Sequence, residues 1–139
     1  MIVLDTSVLV ALLVARDQYH QMATGWYGNL TAKLIVTPLV LAEVDSLVFN
    51  RGGQHAVGAF RRDVTAGAFS IQWWDEAAVQ TARLAEQYAD LGVSLTDASL
   101  VALAARLQTT EIATFDERHF RAIKPLWGDA FRLLPADAG

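Results

Sequence analysis

Four carboxylates in this chain stand where an acidic side chain is hard to explain as ordinary surface. Asp5, Asp97 and Asp116 each lie where an apolar run ends or a helix begins, and Glu43 lies inside a helical pattern. A carboxylate among apolar residues loses hydration, and a bound divalent cation commonly compensates for that loss. Carboxylate oxygens are also the ligands that Mg²⁺ and Mn²⁺ prefer. The four acids therefore predict a divalent-metal site.

Asp5 ends a short apolar run at the start of the sequence, and the hydroxyl residues Thr6 and Ser7 follow it. A run without polar alternation predicts a strand that is buried on both faces. In open α/β sheets, ligands bind outside the carboxyl ends of parallel strands, which is where Asp5 would lie. Because an Asp at this position also suits the N-cap of a following helix, the local pattern leaves both roles open.

Glu43 lies in a helix whose start is marked by Thr37 as N-cap and Pro38 at the first helical position. Leu39 and Leu47 stand four positions before and after Glu43, which places its carboxylate on the stripe expected to face the core. An unpaired carboxylate on that stripe would be unfavourable. Glu43 therefore has the weakest purely structural explanation of the four acids.

Asp97 and Asp116 have structural explanations that compete with metal binding. Asp97 opens an alanine-rich helix and matches a capping box with Ser94, so this segment supports capping and metal binding equally. Asp116 follows a strand-like run and a hydroxyl residue, Thr114, which repeats the order found at Asp5. Residues two apart on a strand share one side, so Thr114 and Asp116 would face one site. A turn that begins at Asp116 is the alternative.

The elements that must position these acids alternate along the chain. Apolar periodicity and turn residues predict strands at residues 2–4, 33–36, 69–73, 111–114 and 131–134. They predict helices at about residues 7–14, 19–30, 38–50, 54–66, 76–88 and 97–107. This alternation predicts an α/β, Rossmann-like three-layer sandwich, with a mainly parallel five-stranded sheet and helices on both faces.

Length and composition favour a single domain over residues 1–139, with residues 135–139 expected to form a frayed tail. No apolar stretch reaches the roughly 20 residues needed to span a bilayer, and no basic segment precedes the first apolar run, so a cytoplasmic protein is expected. The net charge is −4, from 11 basic and 15 acidic residues, and cysteine is absent. Nucleic-acid phosphates would therefore be bound locally, and thiolate chemistry is excluded.

The order and spacing of the acidic motifs resemble the PIN domain family, and within it the VapC-like toxins of bacterial toxin-antitoxin pairs. The resemblance runs over nearly the whole chain. It rests on Leu4-Asp5-Thr6-Ser7, on Glu43 after the second strand, on Leu95-Thr96-Asp97-Ala98, and on Ala113-Thr114-Phe115-Asp116 with Arg118-His119-Phe120.

The resemblance implies a PIN-like fold and a metal-dependent endoribonuclease that inhibits translation as a toxin, leaving 5′-phosphate and 3′-hydroxyl ends. It implies one or two Mg²⁺ or Mn²⁺ ions held by Asp5, Glu43, Asp97 and Asp116. By similarity, Thr6, Ser7 and Thr114 would orient these acids or a water. A homodimer and a cognate antitoxin that covers the acidic site are also implied.

Basic and aromatic residues give weaker predictions. Arginines that would contact RNA phosphates are Arg51, Arg61, Arg62 and Arg118, although solvated arginines on helix faces are ordinary. His119 is predicted to be a turn or surface histidine, because metal chemistry already supplies the nucleophile. Trp26, Tyr27, Trp73 and Trp74 have the chemistry to stack on bases, but packing is the favoured role for most of them.

Two other classes of protein also begin with a strand and an acid. A haloacid-dehalogenase-like phosphatase would carry a second Asp two residues after Asp5, where this chain has Ser7. A phosphoacceptor receiver domain would carry an acidic pair after the first strand and a phosphorylated Asp after the third, for which Asp75 is the candidate. A PIN-like module that binds RNA without cleaving it is a further alternative.

Overall fold

The structure, a computed structural model, describes residues 1–139. Its strands are β1 (Ile2–Leu4), β2 (Leu34–Val36), β3 (Ser70–Ile71), β4 (Glu111–Ala113) and β5 (Arg132–Leu134). Its helices are α1 (Thr6–Leu13), α2 (His20–Gly28), α3 (Pro38–Thr65), α4 (Ala77–Gln87), α5 (Leu95–Leu107) and α6 (Glu117–Ala122), with a 3₁₀ turn at Ala89–Leu91. None of these helices combines the length and apolarity needed to cross a bilayer.

The five strands form one sheet in the order β3-β2-β1-β4-β5, and every neighbouring pair is parallel. The predicted α/β class and the five strands are confirmed, and the sheet is wholly parallel rather than mainly so. β1 lies at the centre, where Val3 is in register with Ile35 on one side and with Ile112 on the other. Leu4 pairs with Ala113, so the residues that follow β1 and β4 emerge side by side.

The core forms around continuous apolar strands. β1 (Ile-Val-Leu) and β2 (Leu-Ile-Val) are buried at every position, as expected for parallel strands covered on both faces. α1 packs against α2 and α3, and α4 packs against α5. In α5 every residue from Ala98 to Ala104 is buried, because the small alanines allow close packing.

A buried hydroxyl pair joins the two helices that carry Glu43 and Asp97. Ser99 donates a hydrogen bond to the Thr96 carbonyl at 2.6 Å, so its single proton is used within α5. The Thr37 hydroxyl lies 2.9 Å from the Ser99 oxygen and therefore donates to it. Thr37 is also the N-cap of α3, as predicted, and accepts from the Val40 N–H. The start of α3 is thus fixed against α5.

α3 is interrupted at Gly53, whose φ of 79° and ψ of −171° are not helical. The sequence predicts two helices here, at residues 38–50 and 54–66, and the break between them is confirmed. Only glycine adopts this conformation without strain. Across the break, the Arg61 guanidinium binds both carboxylate oxygens of Asp45, at 2.7 and 2.9 Å, and links the two halves of α3.

The end of the chain is more regular than the sequence patterns indicate. No helix is predicted after Asp116, yet α6 follows it directly. In the tail expected to fray, the Asp137 carboxylate accepts from the Leu133 N–H at 2.8 Å and contacts Arg121 at 2.7 and 2.9 Å. These contacts tie the last residues to β5 and α6.

Candidate active site

A polar cleft opens at the carboxyl ends of β1 and β4, with a volume of about 530 Å³. Its walls come from the start of α1, the α1–α2 connection, α3, the start of α5 and the segment after β4. The structure brings all four predicted acids to this cleft: Asp5, Glu43, Asp97 and Asp116. Four segments that are distant in sequence therefore contribute carboxylates to one site.

Asp5 is the most deeply placed of the four acids, with only 4% of its surface exposed. Its Oδ1 accepts from the Thr6 N–H at 2.8 Å, so it is the N-cap of α1 as well as a cleft residue. Its Oδ2 accepts from the Ser7 hydroxyl at 2.9 Å and from the Thr114 hydroxyl at 2.7 Å. The capping role is confirmed, and because Asp5 also lines the cleft, the cap does not exclude the ligand-binding role, which stays a prediction.

The hydroxyls of Ser7 and Thr114 have fixed donor directions. Ser7 Oγ accepts from the Phe115 N–H, and Thr114 Oγ1 accepts from the Asp116 N–H, each at 2.9 Å. Each hydroxyl has one proton, and that proton points to Asp5. The same two bonds hold the backbone of the segment after β4, so the orientation of Asp5 is coupled to the position of Asp116.

Burial raises the pKa of Asp5 to about 6, and the negative charge of Asp97 adds to this effect. The bonds from Thr114, Ser7 and Thr6 act in the opposite direction, because they favour the ionised carboxylate. Burial therefore outweighs three hydrogen bonds. A cation in the cleft would reverse the balance by compensating the buried charge.

His119 joins Asp97 and Asp116. Its Nδ1 lies 3.1 Å from Asp97 Oδ2 and 3.0 Å from Asp116 Oδ2. The three groups offer ligand atoms close enough together to hold one metal ion. The prediction of a turn or surface histidine is therefore wrong: α6, which begins at Glu117, turns His119 back toward the acids, and its side chain is only 18% exposed.

The backbone and the side chain of Asp97 have different partners. Ser94 is the N-cap of α5 and accepts from the Asp97 N–H at 3.1 Å, whereas the Asp97 carboxylate contacts His119. Burial raises the pKa of Asp97, and the charges of Asp116 and Glu43 raise it further, while His119 opposes the shift. The Asp97 backbone thus serves the cap and its carboxylate faces the other acids.

Glu43 lines the cleft, but the reason for its placement differs from the prediction. The core-facing stripe of α3 is formed by Val40, Val44 and Val48, which are fully buried. Glu43 is half-buried and shares the adjacent stripe with Leu39 and Leu47. The stripe that contains Glu43 therefore borders the core and faces the cleft.

The donor set of the cleft suits a hard divalent cation. Carboxylates from Asp5, Glu43, Asp97 and Asp116 are oxygen ligands of the kind that Mg²⁺ and Mn²⁺ take. Thr6 also lines the cleft, and its buried hydroxyl oxygen has no hydrogen-bond partner within the chain. A buried orphan hydroxyl beside several acids fits a site completed by an ion and its waters.

Residues 2–125 match the family described as PIN domain. The chain belongs to the PIN domain family. Ribonuclease VapC26 from Mycobacterium tuberculosis is 35% identical to it over 134 residues, which is 96% of this chain and 99% of the relative. The family predicted from the acidic motifs is confirmed.

Solved structures have the same fold. Mycobacterium tuberculosis VapC20, described as a toxin that cleaves the sarcin-ricin loop, superposes with a TM-score of 0.78 at 21% identity, covering 84% of this chain and 90% of that one. A toxin-antitoxin complex from Klebsiella pneumoniae gives a TM-score of 0.64 at 17% identity, covering 92% of this chain and 100% of that one. Neither comparison supports the phosphatase or receiver alternatives, and Asp75, the receiver candidate, is exposed and lies outside the cleft.

The predicted arginines lie in different places on this PIN domain. Arg51 lines the cleft, where its Nη1 lies 3.7 Å from Asp17 Oδ2. Arg61 is engaged with Asp45, and Arg62 and Arg118 are exposed outside the cleft lining. Among these four, Arg51 is the one placed beside the acids, and RNA binding by the set stays a prediction.

Sequence reasoning missed several residues of the cleft. Four of them line the cleft, namely Asp17, Gln18, Tyr19 and Phe115, and His119 contacts two of the cleft acids. Asp17 and Gln18 belong to a connection with no repeating pattern, and the helix predicted at about residues 19–30 did not relate Tyr19 to the acids, so periodicity could not assign these residues to the site. The position of Phe115 between Thr114 and Asp116 was the one available signal, because its neighbours were already candidates.

Proposed function

We propose that this PIN domain is a divalent-metal-dependent endoribonuclease and the toxin of a toxin-antitoxin pair. The observation that carries the proposal is the convergence of Asp5, Glu43, Asp97 and Asp116 on one cleft at the carboxyl edge of the sheet. The 35% identical relative, which aligns over nearly its whole length, is named a ribonuclease and supports the same activity.

The four carboxylates would hold one or two Mg²⁺ or Mn²⁺ ions. When bound, such ions supply an activated water for in-line attack on a phosphodiester and stabilise the leaving oxygen. Ser7 and Thr114 keep the Asp5 carboxylate in one orientation, and His119 keeps Asp97 and Asp116 together. Such outer contacts fix the geometry of metal-binding carboxylates. We expect products with 5′-phosphate and 3′-hydroxyl ends.

Arg51 is the cationic group of the cleft. More than half of its side chain is exposed, and its 3.7 Å contact with Asp17 is long for an ion pair. Such a weakly held guanidinium is free to exchange Asp17 for an RNA phosphate, which it can bind through two parallel hydrogen bonds. We therefore assign Arg51 a substrate-positioning role.

An antitoxin and a second copy of the chain are the proposed protein partners. Toxin-antitoxin complexes among the structural neighbours support the first of these. An antitoxin segment that covers the acidic cleft would block access to RNA. We place the activity in the cytoplasm, where RNA substrates and translation are found.

The activity is tested with purified protein and total RNA, in Mn²⁺ or Mg²⁺ and in excess chelator. Asp5→Asn and Asp97→Asn should each reduce cleavage by more than about a hundredfold, since residues that merely orient metal ligands already contribute roughly 10–100-fold. Asp75→Asn, which alters an exposed acid outside the cleft, is the matched control and should cleave like wild type. Cleavage that survives both chelator and the cleft substitutions would contradict the proposal, and so would new ends that lack a 5′-phosphate.

A further inference from the structure

Two aromatic rings are stacked at the acidic cleft. Tyr19 and Phe115 have ring centroids 4.3 Å apart and ring planes within 6° of parallel. Both residues line the same cleft as the four carboxylates. The pair joins the α1–α2 connection to the segment after β4, which are far apart in sequence, so an aromatic surface is assembled at the site only in the folded chain.

The Tyr19 side of the stack is held by its own loop. The Tyr19 N–H donates to Asp17 Oδ1 at 2.9 Å, and the Arg16 guanidinium donates to the Arg51 carbonyl at 2.6 Å. At the end of the loop, His20 Nδ1 lies 2.7 Å from the Ala11 carbonyl oxygen. These contacts attach the loop to α3 and α1, so the ring of Tyr19 is presented by a fixed backbone.

The Phe115 side of the stack is held by the active site itself. Its N–H donates to Ser7 Oγ, and its neighbours in sequence are Thr114 and Asp116. Phe115 is partly buried and packs against the core, whereas Tyr19 is 36% exposed. Phe115 thus anchors the pair, and Tyr19 carries its accessible surface.

We propose that the Tyr19–Phe115 pair is a nucleobase subsite that stacks one base of the RNA next to the phosphate being cleaved. This inference rests on the proposed ribonuclease function. Aromatic side chains bind single-stranded nucleic acid through the π-face that every base carries. A phosphate bound to a cation that the carboxylates hold would bring its adjoining nucleotides into the same cleft, where the aromatic pair and Arg51 lie.

The surroundings of the pair favour a nucleotide over an apolar protein segment. Of the 14 residues that line the cleft, only 4 are hydrophobic, and the others include five carboxylates and Arg51. An apolar helix would leave these charged groups without water or partners. A nucleotide instead offers a flat base to the rings and a phosphate to the guanidinium and to a cation held by the acids.

The test measures RNA binding separately from cleavage. The probe is a short single-stranded RNA containing a sequence cut in the total-RNA digest, bound to protein in the Asp5→Asn background so that it stays intact. Tyr19→Leu and Phe115→Leu should each weaken binding about tenfold, within the range measured for loss of one stacked base. Tyr19→Phe should bind like the parent, because the ring is kept. Tyr27→Leu, which alters an exposed tyrosine outside the cleft, is the matched control.

A second set of RNA probes identifies the stacked base. Each probe carries one abasic nucleotide, at a different position in each probe. When the missing base is the one that stacks on Tyr19, next to the cleaved bond, the parent and Tyr19→Leu should bind the probe with equal affinity. Such loss of the Tyr19→Leu effect is the coupling expected of direct contact. Thermal unfolding of each variant checks that the loop remains folded.

Three results would overturn the subsite. One is equal binding of intact RNA by the parent and Tyr19→Leu, and another is a Tyr19→Leu defect that is the same with every abasic probe. The third is a defect limited to binding an antitoxin peptide, which would make the stack a protein-docking surface. If wild type cleaves no RNA with metal, the proposed function fails and the subsite fails with it, whereas normal cleavage with any of the three results removes the subsite alone.

Discussion

The acidic cleft and the β5 edge of this PIN domain both contain several carboxylates, but the four predicted acids of the cleft, unlike those at the β5 edge, are not paired with arginines. At the β5 edge, Arg121 binds Asp137 and Glu117, and Arg132 binds Glu111, with contacts of 2.6 to 2.9 Å. In the cleft, Asp5, Glu43, Asp97 and Asp116 have no lysine or arginine within salt-bridge distance. The β5 edge pairs its carboxylates with arginines, whereas the four acids of the cleft have no such partner.

The pKa values of two aspartates express this difference. Arg121 and the Leu133 N–H lower the pKa of Asp137 to about 2, because they stabilise the ionised carboxylate. Burial raises the pKa of Asp5 to about 6, although three hydrogen bonds favour its ionised form. The comparison indicates that the edge carboxylates support the fold, whereas the cleft holds charge at the expense of stability, as expected of a functional site.

The largest predicted effect is a pH dependence of stability that has opposite signs in the two regions. Asp5 takes up its proton more readily in the folded state, so its contribution to the free energy of unfolding is greatest below pH 3.8 and is lost as pH rises to about 6. From 3.8 to about 6, the shift corresponds to about 3 kcal/mol. Urea unfolding in chelator should show wild type losing about this much relative to Asp5→Asn across that interval.

Asp137→Asn is the matched comparison for Asp5→Asn. The lowered pKa of Asp137 means that its stabilising contribution is present above the unfolded value of 3.8 and is lost as pH falls toward about 2. Wild type should therefore gain stability relative to Asp137→Asn as pH rises through that interval. The contrast between the cleft and the edge would be contradicted if the difference in unfolding free energy between wild type and each variant did not change with pH. It would also be contradicted if that difference changed in the same direction for both variants.

The sequence was a sufficient guide to the fold because each strand carries its own signal. β1 and β2 are uninterrupted apolar runs, and the break in α3 is marked by Gly52 and Gly53. The position of α6 could not be predicted from a local pattern, because it depends on tertiary contacts. α6 is only six residues long, and its return of His119 to the acids depends on Phe120, which packs in the core, rather than on periodicity.

The site was predictable to the extent that its residues follow strands or begin helices. Asp5 and Asp116 could be assigned in this way because parallel strands bring their carboxyl ends to one edge. The prediction that Glu43 lies on the core-facing stripe is wrong. The error arose because the pattern of one helix does not show how wide the buried valine stripe of α3 is. Tyr19 was predicted to begin a helix, but its place at the cleft depends on the contacts of the α1–α2 connection with α1 and α3, which a local pattern does not indicate.

The second prediction concerns His119, whose side chain contacts two of the cleft acids at once. His119→Asn should weaken Mn²⁺ binding roughly 10–100-fold, the usual effect of losing a group that orients or completes a metal site. The reason is that Asp97 and Asp116 lose the contact at 3.1 and 3.0 Å that keeps them together. Calorimetric titration with Mn²⁺ measures this directly, without an RNA substrate.

His55→Asn is the control for His119→Asn, because His55 is exposed on α3 and does not line the cleft. It should bind Mn²⁺ like wild type. Equal Mn²⁺ binding by His119→Asn would contradict the role of this histidine in the metal site, and tighter binding would mean that it competes with the ion for the carboxylates. The cleft would then resemble the β5 edge, where a basic side chain is the partner of the acids.

The smallest predicted effect is at the β5 edge. Arg121→Gln removes the contacts to Asp137 and Glu117, yet the Arg121 side chain is 45% exposed, so the loss of its ion pairs should lower the free energy of unfolding only slightly, and less at high salt. Urea unfolding at two salt concentrations measures this contribution, with Arg83→Gln as an exposed arginine that has no ion pair. Affinity for Mn²⁺ should be unchanged in both variants, because the edge pairs its charges locally. A change in metal affinity for Arg121→Gln alone would mean that the edge sets the position of α6, and with it His119, so that the two regions act as one.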